Sequence, residues 1–468
     1  MRRLSTTGLF VALLLWALLV GGCSSDSGET AEPTPRTSPP VEVTETAAPE
    51  PETAAPEPTA APEPTPTAAP EPTAAPEPTP TAAPEITPTP EPETEPGSHP
   101  SGLDIGAIED AVAGWMDQAR APGLVMAVTM GDDKSWAFGW GVRDLDTGDP
   151  ITPDDYVRIG SITKPVTTVA VLSLVDEGIL DLDTPVTAYL GEDWYGDYEY
   201  GPQITLRHLM GHTAGFVEYA FDPGFFVLAS ARLNVPISPE EIVRFSTRYG
   251  PVAELGTEYN YSTTGHVIAG MVIEAVTGNT AHAEIRSRIL DPLGVEHTYL
   301  PPGEFPPQMV VNSYNGGILA AAFDALSDVP DEARHTFKGA DYIATLSYPQ
   351  EFLQSAGWTG GGMEARIGDV PHLFRGLFTG GLVSDEIRTE MTTPGVNPGY
   401  GLGVGMEVVG GRNALSHGGG VPGFSSKVVY LPELDLAIAV SSNVLPADPG
   451  LGELADALTK IVIQSWDL

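Results

Sequence analysis

The region from about residue 101 to the C-terminus predicts an α+β fold. An antiparallel sheet built from both chain ends is flanked by helices, and a mostly helical lobe is inserted between them. Three observations carry this. Two apolar strand patterns separated by a turn stand near the start of the region. Three more stand near its end, and helical periodicity brackets both sets. A layered α+β domain is the arrangement that buries such faces.

The elements follow in order. Ile105–Ala119 (IGAIEDAVAGWMDQA) has apolar residues at helical spacing. GLVMAVTM, the turn GDDK and SWAFGWGV read as a strand pair. From Thr163 to Ile179 the pattern is helical, closing at Gly178. Between about 184 and 400, helical pieces such as VIAGMVIEAVTG alternate with Gly- and Pro-rich loops. ALSHGGG, SSKVVYLP and LDLAIAVSSN read as three successive strands, and LGELADALTKIVIQSW as a closing amphipathic helix.

Before this region stand two segments of different composition. Residues 1–22 (MRRLSTTGLFVALLLWALLVGG) have two arginines, a short apolar run and small residues, the layout of a secretory signal. The run is shorter than the roughly 20 residues a membrane span needs. The stretch ending at Cys23 resembles a bacterial lipobox, which implies lipidation of Cys23 and an anchor in the bilayer at the extracellular face of the membrane. A simple cleaved signal is the plainer alternative. Residues 23–100 are almost all Pro, Glu, Thr and Ala, and TAAPEPTAAPEPTP occurs at 53–66 and again at 67–80. Such composition cannot form a core and favours an extended polyproline tether. Residues 101–468 form the working domain.

Cys23 is the single cysteine, so the domain has no disulfide and no catalytic thiol. The net charge of −41 excludes a nucleic-acid footprint, which requires positive charge.

The chemistry centres on VRIGSITKPVTT at 157–168. A serine hydroxyl needs a partner to take its proton. A lysine serves if it is held close and kept neutral by burial. Ser161 and Lys164 are spaced i, i+3 and share a face if a helix begins at Ser161. Pro165 fits only in that helix's first turn. The plainer reading is a helix cap beside a surface lysine, although the chain has only five lysines.

In this motif the chain resembles the serine β-lactamases and penicillin-binding proteins, whose Ser-x-x-Lys opens a helix. Within them it is most similar to the class C β-lactamase and D-alanyl-D-alanine carboxypeptidase branch. ITLRHLMGHTAGF (204–216), GTEYNYSTTGHVIAGMVIEAVTG (256–278), YGLGVGM (400–406) and SHGGGVPGFSSKVVYLPELDLAIAVSSN (416–443) carry the similarity, which runs from about 108 to 465. The resemblance implies a β-lactamase/transpeptidase-like fold and no cofactor. It implies a nucleophile at Ser161, its proton acceptor at Lys164, a proton-shuttling Tyr261 and a third motif opening at His417. The backbone N–H groups of Ser161 and Gly420 would form an oxyanion hole. Thr263, Gly418 and Gly419 would contact substrate.

Two positions depart from the family pattern. Thr263 stands where the family has asparagine, and Gly418 where it has threonine. Both put typical D-Ala-D-Ala or β-lactam recognition in doubt. His208 and His212 are spaced i, i+4, but HLMGH lacks the glutamate of a zinc motif, so no metal is expected and His212 is read as bonding backbone beside the site. Trp358–Gly362 (WTGGG) reads as a turn near the pocket rim.

The expected function is an extracellular, membrane-tethered serine hydrolase working through an acyl-enzyme. A carboxypeptidase-like action on peptidoglycan peptides is the first reading. A β-lactamase, esterase or D-aminopeptidase using small ester or amide substrates is the alternative. A non-catalytic cell-wall binding module is the rival from another class.

Overall fold

Both ends of the folded region meet in one antiparallel sheet. The structure, a computed structural model, describes residues 102–466 except 132–133, 233, 327–328 and 348. The signal segment, Cys23, the Pro-rich tether and the middle of the GDDK turn lie outside the described residues.

Helix α1 spans Ile105–Gln118, started by Asp104, whose side chain accepts from Ala107 N at 3.0 Å. Strands β1 (Gly123–Met130) and β2 (Lys134–Gly141) form the predicted hairpin. The short β3 (Tyr156–Arg158) leads into a 3₁₀ turn, Gly160–Ile162, and then helix α2 (Thr163–Asp176). The inserted lobe includes α3 (Thr263–Thr277), α4 (Glu351–Gly361), β4 (Glu364–Arg366) and α5 (Asp369–Thr379). Strands β5 (Gly405–Val409), β6 (Arg412–Val421), β7 (Phe424–Leu431) and β8 (Leu436–Ser442) follow, then helix α6 (Leu451–Ser465).

The main sheet has six strands in the order β2-β1-β8-β7-β6-β5. Its centre joins the first strand to the last, with Val128 opposite Ile438. Strand β1 is apolar on both faces because both are covered. Leu124, Met126 and Val128 pack with Ile438, Val440 and the inner faces of α1 and α6, including Val112, Leu458 and Val462. Val125 and Ala127 face the other way, into a core shared with Val166 and Val169 of α2. Each such aliphatic side chain contributes roughly 1.5–3 kcal/mol when fully buried.

Helix α2 has no solvent face along most of its length: Thr163 through Leu174 are all buried. It runs through the middle of the molecule between the sheet and the lobe, and its N-terminal end carries the Ser-x-x-Lys motif. The α-helix begins at Thr163, where the helical pattern starts, and Ser161 sits in the 3₁₀ turn just before it. Pro165 is the third helical residue, in the first turn, where its missing N–H costs no intrahelical bond.

Candidate active site

Ser161 is held at the end of a clamped turn. Gly160 has φ +56°, a conformation that other residues adopt only with strain, and a Cβ there would meet Gly420 N at 2.8 Å. Thr163 Oγ1 donates to Gly160 O at 2.7 Å and accepts from Met363 N at 3.1 Å. Ser426 Oγ of β7 donates to Ile159 O at 2.8 Å. Strand β6 is drawn in so closely that a Cβ on Gly419 would stand 2.0 Å from Ile159 O. Gly420 N therefore lies against the turn that carries Ser161. Ser161 is partly exposed.

Lys164 is fully buried. Its Nζ lies 3.0 Å from Ser161 Oγ, 3.1 Å from Thr263 Oγ1 and 2.6 Å from Gly360 O, and 4.8 Å from the centre of the Tyr261 ring. Burial pulls its pKa down to about 7, and the nearby Glu218 carboxylate opposes that shift. A neutral amine has two N–H groups and one lone pair. Gly360 O can only accept, and Thr263 Oγ1 can take the second N–H. The lone pair is then left for the Ser161 hydroxyl.

Thr263, shorter than the asparagine of the family pattern, still reaches the lysine. It is the first residue of α3, and its N–H donates to Glu218 Oε2 at 2.6 Å. The other Glu218 oxygen accepts from Ala220 N at 3.0 Å. A carboxylate at this helix N-terminus is favoured by the free N–H groups there. Glu218 was not singled out in the sequence.

The stretch Trp358–Gly362 is not a rim turn. Trp358–Gly361 form the buried end of α4, kinked at Trp358, whose backbone adopts φ 34° and ψ −132°, and Gly362 follows as its C-cap. The kink turns Gly360 O toward Lys164 and Thr359 O toward Thr167 Oγ1, which donates at 2.7 Å. A backbone conformation of this kind costs on the order of 1–3 kcal/mol and persists only where its surroundings hold it.

His417 and Gly418 stand on β6. His417 is buried, with Nδ1 2.6 Å from Gly418 O and Nε2 3.0 Å from the Tyr400 hydroxyl. The same hydroxyl lies 3.2 Å from His212 Nε2. Ser262 N, between Tyr261 and Thr263, donates to His212 Nδ1 at 3.2 Å, the backbone bond expected for His212. The Tyr261 ring is 4.4 Å from the His212 ring and 6.4 Å from the His417 ring. Burial and the neighbouring Lys164 push both histidines toward the neutral form, His417 down to about 3 and His212 well below its ordinary value. His208 points elsewhere: its Nδ1 lies 3.0 Å from Thr205 Oγ1 and caps a short helix, Leu206–Met210. Among the described residues, no group of three or more His, Cys, Asp or Glu converges as a metal site would.

Ser161, Lys164, Tyr261 and Thr263 thus come together on the lobe side, facing His417 and Gly418–Gly420 on the sheet. A buried amine poised on a partly exposed hydroxyl, beside backbone N–H groups, is equipped for acyl transfer.

Comparison with known proteins agrees. The Beta-lactamase family matches residues 108–462. The chain is 26% identical over 360 residues to the unguisins hydrolase ungD' of Aspergillus campestris, covering 75% of this chain. It spans only 63% of that relative's length and 58% of the unguisins hydrolase ungD of Aspergillus violaceofuscus. It is 25% identical over 358 residues to the beta-lactamase of Escherichia coli K12, covering 70% of this chain and 85% of that one. Among solved structures, a D-stereospecific amidohydrolase from a Streptomyces species superposes with TM-score 0.62 at 27% identity, over 78% of this chain and 98% of the other. The D-amino acid amidase of Ochrobactrum anthropi SV3 superposes with TM-score 0.63 at 26% identity, over 77% and 98%. With the fold, the Ser-x-x-Lys geometry and a match over most of its folded region, this chain belongs to the Beta-lactamase family of serine hydrolases.

Proposed function

We propose that this protein hydrolyses small amides, peptides or esters through an acyl-serine at Ser161. The observation that carries this reading is the Lys164 Nζ, buried and near-neutral, 3.0 Å from Ser161 Oγ. Ser161 Oγ attacks the substrate carbonyl carbon while its proton passes to Lys164 Nζ. The oxyanion takes hydrogen bonds from the Ser161 and Gly420 amides. Tyr261, packed against Lys164, returns the proton to the leaving nitrogen or oxygen as the bond to carbon breaks. Water then attacks the acyl-ester by the same route in reverse roles, releasing the acid and Ser161.

Two substrate classes remain in view. A carboxypeptidase acting on peptidoglycan stem peptides suits an anchor at Cys23 and a long tether into the wall, at the extracellular face of the membrane. A hydrolase of amine-bearing substrates, such as D-amino-acid amides and short peptides with a free N-terminus, suits the site better. The Glu218 carboxylate lies beside Thr263 and Lys164, where it would attract an ammonium and repel a carboxylate. Gly418 also removes the hydroxyl that the family pattern offers a substrate carboxylate.

The test is intact mass of the protein after exposure to a penicillin and, separately, a nitrophenyl ester, with Ser161→Ala alongside. An acyl mass on the parent protein alone supports the mechanism. Turnover retained in Ser161→Ala, or no adduct and no turnover with any amide or ester, removes it in favour of a binding module.

A further inference from the structure

The hydrogen bonds running from Ser262 to Gly418 have a direction that no single one of them reveals. A backbone N–H can only donate, so His212 Nδ1, which receives the Ser262 N–H at 3.2 Å, carries the lone pair. Neutral His212 therefore has its proton on Nε2, aimed at the Tyr400 hydroxyl oxygen 3.2 Å away. At the other end, a carbonyl can only accept. His417 Nδ1, 2.6 Å from Gly418 O, therefore carries a proton. Neutral His417 has its lone pair on Nε2, 3.0 Å from the same hydroxyl. The Tyr400 hydroxyl has one proton to give and lone pairs to receive. It accepts from His212 and donates to His417, and every group in the chain is satisfied in one arrangement only.

The arrangement also tells against charge. A protonated His212 would turn an N–H against the Ser262 N–H. A protonated His417 would turn an N–H toward a hydroxyl that already accepts from His212, leaving the hydroxyl proton without its acceptor. All three side chains are buried, and Tyr400 is 7% exposed. The charged and titratable groups around them are Lys164 of α2, His266 of α3, Tyr259 and Tyr261 of the preceding segment, and Lys427 of β7.

We propose that Tyr400 is a positioning residue: its hydroxyl fixes the tautomers of His212 and His417 and ties the segment carrying Tyr261 and Thr263 to the strand carrying Gly418–Gly420. It touches neither Ser161 nor Lys164 in the hydrogen bonds described above, so it acts through the two histidines. The two walls of the cleft belong to different layers of the fold, and this hydroxyl spans them. His417 has both ring nitrogens engaged and holds Gly418 in place instead of exchanging protons with substrate. The consequence for activity rests on the acyl-transfer reading of the cleft; the consequence for the tautomers does not.

The experiment is nitrogen-15 NMR of the histidine rings in the full chain, assigned with single histidine substitutions, together with kinetics of Tyr400→Phe on a nitrophenyl ester. At neutral pH the parent protein is expected to show His212 as the Nε2–H tautomer and His417 as the Nδ1–H tautomer. Either ring as an imidazolium, or either in the opposite tautomer, overturns the proposal; the state is read in the parent protein, and the substitutions serve only to assign its signals. Tyr400→Phe keeps the ring and removes the hydroxyl. Because small misplacements of a site can cost up to about a hundredfold in rate, kcat should fall about ten- to a hundredfold with KM changed much less. The resonances of both histidines should shift. An unchanged kcat with unmoved ring resonances overturns the proposal. Absence of turnover in the parent protein counts against the acyl-transfer reading alone, and the ring resonances still judge Tyr400.

Discussion

Lys164 Nζ stands 3.0 Å from Ser161 Oγ inside a pocket that gives the lysine no contact with water. Burial disfavours the ammonium and brings the pKa to about 7. Only the free amine can take the serine proton, so the rate should rise with pH as Lys164 loses its proton. The expected profile of kcat/KM on a neutral ester has a single acid limb, half-maximal near pH 7. Lys164→Met should abolish the reaction. A flat profile from acid to neutral pH would show that a group other than Lys164 receives the proton.

Glu218 acts on the same equilibrium with the opposite sign. Its negative charge favours the protonated form of Lys164, partly offsetting the lowering that burial causes. Glu218→Gln keeps the size of the side chain and removes the charge, so the acid limb should move to lower pH. On substrates with a free amine next to the scissile carbonyl, the same change should reduce kcat/KM by about tenfold or more, the loss of a charge-assisted contact of roughly 1.5–3 kcal/mol. A neutral ester should be affected far less. Equal losses on both substrates would argue that Glu218 only supports the start of α3.

Gly360 is constrained for a reason unrelated to backbone conformation. A Cβ there would come within 2.6 Å of Thr263 Cγ2 and 3.0 Å of Thr263 O. Gly360→Ala therefore presses apart the two groups that, with Ser161, surround the lysine amine. Overpacking of this kind costs about 1–3 kcal/mol of stability. The rate should fall by about tenfold or more, because both acceptors of Lys164 move at once. Thermal unfolding and kinetics on one preparation check both effects. A destabilised variant with parental kcat would mean that Gly360 O does not orient the amine.

These residues differ in how far the sequence announced them. Strands β1, β7 and β8 and helix α6 were legible because their apolar spacing is the same signal that buries them. The Ser161–Lys164 pair was legible because they stand three positions apart, a spacing that one helical turn, here a 3₁₀ turn running into α2, brings onto one face. Gly360 was not: its contribution is a carbonyl oxygen, which every residue has, presented by a kink at Trp358 that glycine content alone suggests only as a turn. Glu218 lies in a loop and meets Thr263 across 45 positions. The Tyr400 hydroxyl meets His212 across 188. Neither distance has a period to read. Thr263 is the instructive case. As a departure from the family pattern it puts typical substrate recognition in doubt, yet its hydroxyl reaches the lysine at 3.1 Å.

The approach to the nucleophile rests on a buried ion pair. Arg158, the last residue of β3, donates from Nε to Glu364 Oε1 of β4 at 3.0 Å, directly across the strand register, and from Nη2 to Gln350 Oε1 at 2.9 Å. Both side chains of the pair are nearly inaccessible, at 6% and 2%. Three residues later comes Ser161, and two residues after that Thr163 is bonded to Met363, the neighbour of Glu364. Glu364→Ala would leave a guanidinium buried without its counter-charge, which costs about 3–5 kcal/mol. Replacing both partners by apolar residues of similar size should cost much less, because no charge is then stranded. Urea unfolding of the single and double variants distinguishes the two. If Glu364→Ala lowers stability by less than about 1 kcal/mol, the range of an exposed pair, then water reaches Arg158 and the pair does not anchor the turn that carries Ser161.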